Sequence, residues 1–115
     1  MAAIFEQVRE AGGFVFVSGQ TPLTGSGEVP DDAGEQATVV IGKIEGLLAE
    51  AGRTLGDVVK VTYFLTDIAD LAAVRAALDA ALPHPRPAAS LVEVSALVDP
   101  RFRVEIEATA YRPSA

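Results

Sequence analysis

Residues 58–94 read VVKVTYFLTDIADLAAVRAALDAALPHPRPAASLVEV, and this run decides the fold. Its first eight residues are dense in β-branched and aromatic side chains, the composition of a strand. Thr66 or Asp67 can then open a helix, with Leu71, Val74, Leu78 and Leu82 recurring on one face of it. Pro83, Pro85 and Pro87 hold a tight loop, after which residues 89–94 return to strand composition. Strand, helix and strand of these lengths predict a right-handed crossover between parallel neighbours.

Working outward, residues 102–111 form a final strand. Phe102, Val104, Ile106, Ala108 and Ala110 alternate with Arg103, Glu105, Glu107, Thr109 and Tyr111, giving one buried and one polar face. Upstream, residues 14–17 make a β-rich run ending at Ser18-Gly19-Gln20, preceded by an expected strand over about 5–10 and a Gly12-Gly13 turn. Residues 21–30 read as a loop. Asp31 or Asp32 can cap a helix whose Ala33, Ala37, Val40, Ile41, Ile44, Leu47 and Leu48 have helical spacing, and Gly52 caps its end. Gly42 and Gly46 interrupt it at a cost of about 1 kcal/mol each, which suggests close packing on the sheet. The expectation is one α+β domain over 1–115, a mixed sheet with both helices on one face. Its other face needs a cover, and another subunit would supply it.

The composition narrows the function. The 115 residues carry sixteen acidic and nine basic side chains, a formal charge of −7, which argues against a nucleic-acid partner. No cysteine is present, so disulfides, thiolate nucleophiles and sulfur-ligated metals are excluded. A single histidine, His84, disfavours a histidine metal site or a serine–histidine pair. Neither a signal peptide nor an apolar run of membrane length is visible, and the cytoplasm is the expected location. No cofactor or metal is expected.

Taken singly, the candidate groups say little. Glu105 and Glu107 share a strand face and could do acid–base work, but carboxylates so placed are usually solvated. Ser18 and Gly19 mark a strand end where backbone groups become available to a ligand. Asp67 and Asp70 read as helix caps, and His84 as part of a surface loop.

The combination is more specific. Ser18-Gly19-Gln20, Gly27-Glu28-Val29-Pro30, Gln36 and Leu48-Ala49-Glu50-Ala51-Gly52 resemble the N-terminal half of the Rid (RidA/YjgF) family in order and spacing. The run 57–62, with Phe64-Leu65-Thr66-Asp67, resembles that family's central signature; Pro87-Ala88, Ser90 and the run 104–108 resemble its C-terminal one. The resemblance covers essentially the whole chain. It implies a chorismate-mutase-like α+β fold and a homotrimer with small-molecule clefts at subunit boundaries. It also implies hydrolysis of enamines and imines to ammonia and a 2-oxo acid. An arginine fork would clamp the substrate carboxylate and a glutamate would hold or deprotonate water.

This chain departs from that pattern at the clamp. The family reads Pro-Ala-Arg before Ser or Thr; here the arginine position is Ala89, and the cysteine often found two residues later is Leu91. An N-terminal aromatic, often tyrosine, corresponds to Phe5, and an asparagine in the second helix corresponds to Arg75. Glu105 is retained as the catalytic candidate, beside Phe5, Ser18, Gly19, Arg75, Ala89 and Leu91 as substrate-binding candidates. Losing a charge-assisted contact costs roughly 1.5–3 kcal/mol, so the usual deaminase activity is expected to be weak or lost. Arg75 and Arg86 are the candidate replacements. The competing expectation is a non-catalytic trimer holding an apolar or neutral metabolite. RNA cleavage, attached to some family names, is disfavoured by the acidic charge.

Overall fold

The computed structural model describes residues 3–113. Strands β1 (Val8–Ala11), β2 (Phe14–Gln20), β3 (Val58–Leu65), β4 (Ala88–Glu93) and β5 (Val104–Tyr111) form a mixed sheet in the order β1-β2-β5-β3-β4. Helix α1 (Ala33–Glu50) connects β2 to β3, and helix α2 (Leu71–Ala81) connects β3 to β4. As residues 58–94 predict, β3 and β4 are parallel, while every other pairing is antiparallel.

Two boundaries differ from expectation. The first strand starts at Val8, leaving Phe5 in the preceding irregular segment. Gly12 and Gly13, at φ +56° and +90°, reverse the chain into β2 as expected, while regular pairing begins only at Val8, opposite Val17, because β2 bulges immediately after Val17. Helix α2 follows a single 3-10 turn, Ile68–Asp70, whose Ile68 amide donates to the Glu93 carboxylate and whose Ala69 amide donates to the Asp67 carboxylate. Asp70 does not cap with its side chain; its carboxylate pairs instead with Arg103 at 2.9 Å.

Sheet alternation sorts the rest. Val15, Val17, Val61, Tyr63, Leu65, Val104 and Ile106 face the helices and form one core with Val40, Ile41, Ile44, Leu48, Val74 and Leu78. The opposite face carries Phe14, Phe16, Lys60, Thr62, Phe64, Glu105, Glu107 and Thr109, by the same registers. Phe14 and Phe16 on that face remain 41% and 47% exposed, so apolar area is left uncovered in the single chain.

Gly42 and Gly46 do not face the sheet. Both are exposed, and a Cβ at either position would meet nothing within 4 Å. The close helix contact is made at Gly34, where a Cβ would lie 3.2 Å from the Ala73 carbonyl oxygen of α2. Gly42→Ala and Gly46→Ala are therefore expected each to raise unfolding free energy by about 0.5–1 kcal/mol, by restricting the unfolded chain. Urea denaturation of each variant measures this; a loss of stability would place an unseen contact on that helix face.

The loop after β2 and the segment before β5 are tied by one buried side chain. Gln36, fully buried on α1, donates to the carbonyls of Pro30 (2.7 Å) and Arg101 (2.9 Å) and accepts from the Arg103 amide (2.7 Å).

Candidate functional site

Strand β2 does not end at Ser18. Val17 pairs with Ala108 and Gln20 with Ile106, so three steps on β2 match two on β5 and one extra residue bulges out. The bulge is held from below: the Ser18 hydroxyl donates to the Glu6 carbonyl (2.6 Å), the Ser18 backbone amide to the Gln7 carbonyl (2.9 Å), and the Gln20 side-chain Nε2 to the Ser18 carbonyl (2.9 Å). The Ser18 amide is thus engaged within the chain, where the sequence suggests groups released for a ligand.

What the bulge provides is a seat for a carboxylate. The Glu105 side chain lies across Gly19, and a Cβ built there would run into the carboxylate oxygen and lie 3.1 Å from its carbon. Only glycine allows this apposition without shifting Glu105. Burial, and then the nearby Glu107 carboxylate, push the Glu105 carboxyl above the ordinary glutamate range. A group so placed holds a proton more readily than a surface glutamate and suits acid–base exchange with water. Next to it, on the open sheet face, a hollow of about 370 Å³ is lined by Phe5, Arg9, Ser18, Lys60, Thr62 and Glu107. Lys60 Nζ donates to Ser90 Oγ at 2.9 Å, bracing β3 against β4 on this face.

The remaining candidates sit elsewhere. Ala89 pairs with Val61 and Leu91 with Tyr63, so both side chains take the helix side of edge strand β4, while Glu105, paired with Phe64, takes the other. Leu91 packs partly on the core, and Ala89 is exposed. Arg75 lines a second hollow, of about 640 Å³, between α2 and the 83–87 loop, with Tyr63, Asp79, His84 and Arg86. A single chain therefore groups Phe5, Ser18, Gly19 and Glu105 on one side of the sheet and Arg75, Ala89 and Leu91 on the other. Arg86 is paired with Asp79 at 2.9 Å.

Tyr63 is the member of this second group that sequence reading omits. Alternation assigns it to the core, and the parallel register sets it beside Leu91 of the edge strand β4, in the hollow that Arg75 also lines. Its burial raises the hydroxyl above the ordinary tyrosine value, with Arg86 opposing. Among the described residues, no group of three or more histidine, cysteine, aspartate or glutamate side chains could hold a metal ion. Among them, too, no helix is long and apolar enough to cross a membrane.

Comparison with known proteins adds relatives along the full length. The family described as Endoribonuclease L-PSP matches residues 1–112. A RutC family protein of Pyrococcus abyssi is 40% identical over 110 residues, 94% of this chain and 86% of the relative. The 2-iminobutanoate/2-iminopropanoate deaminase of Escherichia coli is 36% identical over 107 residues, 90% of this chain and 83% of the relative. The crystal structure of E. coli TdcF with bound serine superposes with a TM-score of 0.87 at 31% identity, covering 97% of this chain and 91% of that one.

Proposed function

The chain belongs to the Endoribonuclease L-PSP family, also called Rid or YjgF, and from that premise we propose that it forms a homotrimer with a small-molecule cleft at each subunit boundary. In each cleft, the Glu105–Gly19 face of one copy meets the Arg75–Ala89–Leu91 edge of the next. The observation carrying this is the split of the candidate residues across the two faces of the sheet, so that only a second copy can unite them. The exposed Phe14, Phe16 and Val92 on the open face support the same arrangement, because association would bury them.

The reaction proposed for the cleft is hydrolysis of an imine or enamine. The Glu105 carboxylate takes a proton from water as the water oxygen bonds to the imine carbon. That proton goes to the imine nitrogen, giving a carbinolamine. Glu105 then takes the hydroxyl proton and passes it to the amino nitrogen as the carbon–oxygen double bond forms and the carbon–nitrogen bond breaks, releasing ammonia and a carbonyl compound. An enamine first takes a proton at carbon to become the imine. A relative named as a 2-iminobutanoate/2-iminopropanoate deaminase supports the reaction class. The net charge of −7 disfavours RNA as substrate. Ala89 and Leu91 favour a second reading, in which the cleft holds a metabolite without turnover. Ammonia release from freshly generated 2-aminoacrylate separates the two. A rate above buffer that depends on protein concentration supports hydrolysis; no excess over buffer leaves the binding reading. Sedimentation equilibrium at three times the monomer mass is expected, and a monomer would remove the shared cleft altogether.

A further inference from the structure

The inward positions of β2 are apolar up to the bulge and polar just past it. Val15 and Val17 enter the core, and Gln20, paired with Ile106, takes the next inward place at 4% exposure. Among the described residues, Gln20 and Gln36 are the buried polar side chains. Gln36 joins segments far apart in the chain. Gln20 acts locally. Its Nε2 donates to the Ser18 carbonyl at 2.9 Å and to Gln7 Oε1 at 2.8 Å, and Gln7 is the residue whose backbone carbonyl accepts from the Ser18 amide. Both donor hydrogens of this side chain are thus spent on the bulge and on the residue that backs it.

An amide in that place needs a reason, since a leucine or methionine would fill it without burying a polar group. What the amide adds is control of one peptide plane. The Ser18–Gly19 peptide is planar and turns as a body, so a donor on the Ser18 oxygen also fixes the Gly19 amide and the approach to the Gly19 Cα. That Cα is where the Glu105 carboxylate rests, in the space a Cβ would fill. The chain beyond the bulge is held as well: Lys43 of α1 donates to the carbonyls of Thr21 at 2.8 Å and Leu23 at 3.2 Å. Ser18 is tied to β1 and Thr21 to α1, and the Gln20 bond acts on the peptide between them.

We propose that Gln20 is a positioning residue for Glu105, acting from the core side of the sheet through the Ser18–Gly19 peptide. Its part is to keep the Gly19 seat under the carboxylate. Held there, Glu105 stays partly out of water, and that burial is the first cause of its raised carboxyl. Without the bond the peptide can turn, the carboxylate loses its fixed rest and meets more water, and its hold on a proton weakens. The aim of the base loosens at the same time, and small misplacements of a reacting group are costly in rate. This deepens the reading of Glu105 as the base, and rests on that reading only where a rate is measured.

The test is a carbon-13 titration of the glutamate carboxyls in the intact protein, the Glu105 signal being the one lost in Glu105→Gln. Wild-type Glu105 is expected to titrate above the ordinary glutamate range. Gln20→Met, which keeps the volume and removes both donors, is expected to bring it down toward that range, and Gln20→Leu to do the same. Backbone amide spectra of both variants are expected to change around residues 17–20 and 105 and to keep their dispersion elsewhere. Rates give a second reading. For ammonia release from 2-aminoacrylate, Gln20→Met is expected to lower kcat about tenfold with KM changed by less than about twofold, and to move the acid limb to lower pH. In a Glu105→Gln background it is expected to cost nothing further. Three results each overturn the proposal: an unchanged Glu105 titration in either variant, spectra that collapse throughout the chain, or an equal loss of rate in both backgrounds. A wild type that releases no ammonia removes the hydrolysis reading and leaves the titration to decide the role of Gln20.

Discussion

Glutamine in place of Glu105 is expected to lower ammonia release by about a hundredfold or more while leaving the protein at least as stable at neutral pH. The amide matches the carboxylate in shape and can rest on Gly19 as the acid does, so binding geometry is preserved. It cannot take a proton from water, and general-base assistance of this kind contributes roughly 10²–10⁴-fold. Stability moves the other way. A carboxyl whose folded-state pKa is raised contributes stability below its unfolded value and loses it as pH rises through the folded value. At neutral pH the charged Glu105 is therefore a cost that glutamine removes. The pH profile follows with the same sign: the acid limb of activity should lie above the ordinary glutamate range, because burial and Glu107 both raise Glu105. Glu107→Gln removes the second cause and should move that limb to lower pH. Initial rates from pH 4 to 8, beside thermal melts, measure all of this. A Glu105→Gln enzyme retaining most of its rate would dismiss the carboxylate as base.

The largest stability effect is expected at Gln36. Gln36→Leu keeps the volume but leaves the Pro30 and Arg101 carbonyls and the Arg103 amide facing an apolar group. Unpaired buried polar groups cost about 1–3 kcal/mol each, and water can reach some of them after local relaxation, so a net loss of roughly 3–5 kcal/mol is expected. The three ties join α1 to the segments entering α1 and β5, so the loss should be felt globally. Denaturant unfolding should show a lower midpoint with little change in slope. A loss below about 1 kcal/mol would mean that Gln36 is replaceable by solvent.

Much of the architecture is legible in the residues themselves. The alternation through 104–111 assigns both faces of β5, and the 58–94 run gives the parallel crossover between β3 and β4. The helical projection of α1 sets Gly42 and Gly46 opposite Ala37, Val40 and Ile44; spacing considered without the projection assigns them to the wrong side. The site is less legible, because it depends on phase between distant strands. Nothing local to residues 18–19 says that one extra residue will place Gly19 under Glu105. Likewise, Arg75 and Asp79 show their helical spacing, but the return of Arg86 to Asp79 depends on the path of the 83–87 loop.

The bulge in β2 also makes the site separable from its scaffold. Deleting Gly19 would leave Val17, Ser18 and Gln20 in regular alternation, with Val17 still opposite Ala108 and Gln20 still opposite Ile106. The ladder would be mended by the loss, and the seat of Glu105 would vanish. One lost codon could thus remove the place where the Glu105 carboxylate rests while sparing the sheet, a short evolutionary step between two relatives that share a fold and differ in this one apposition.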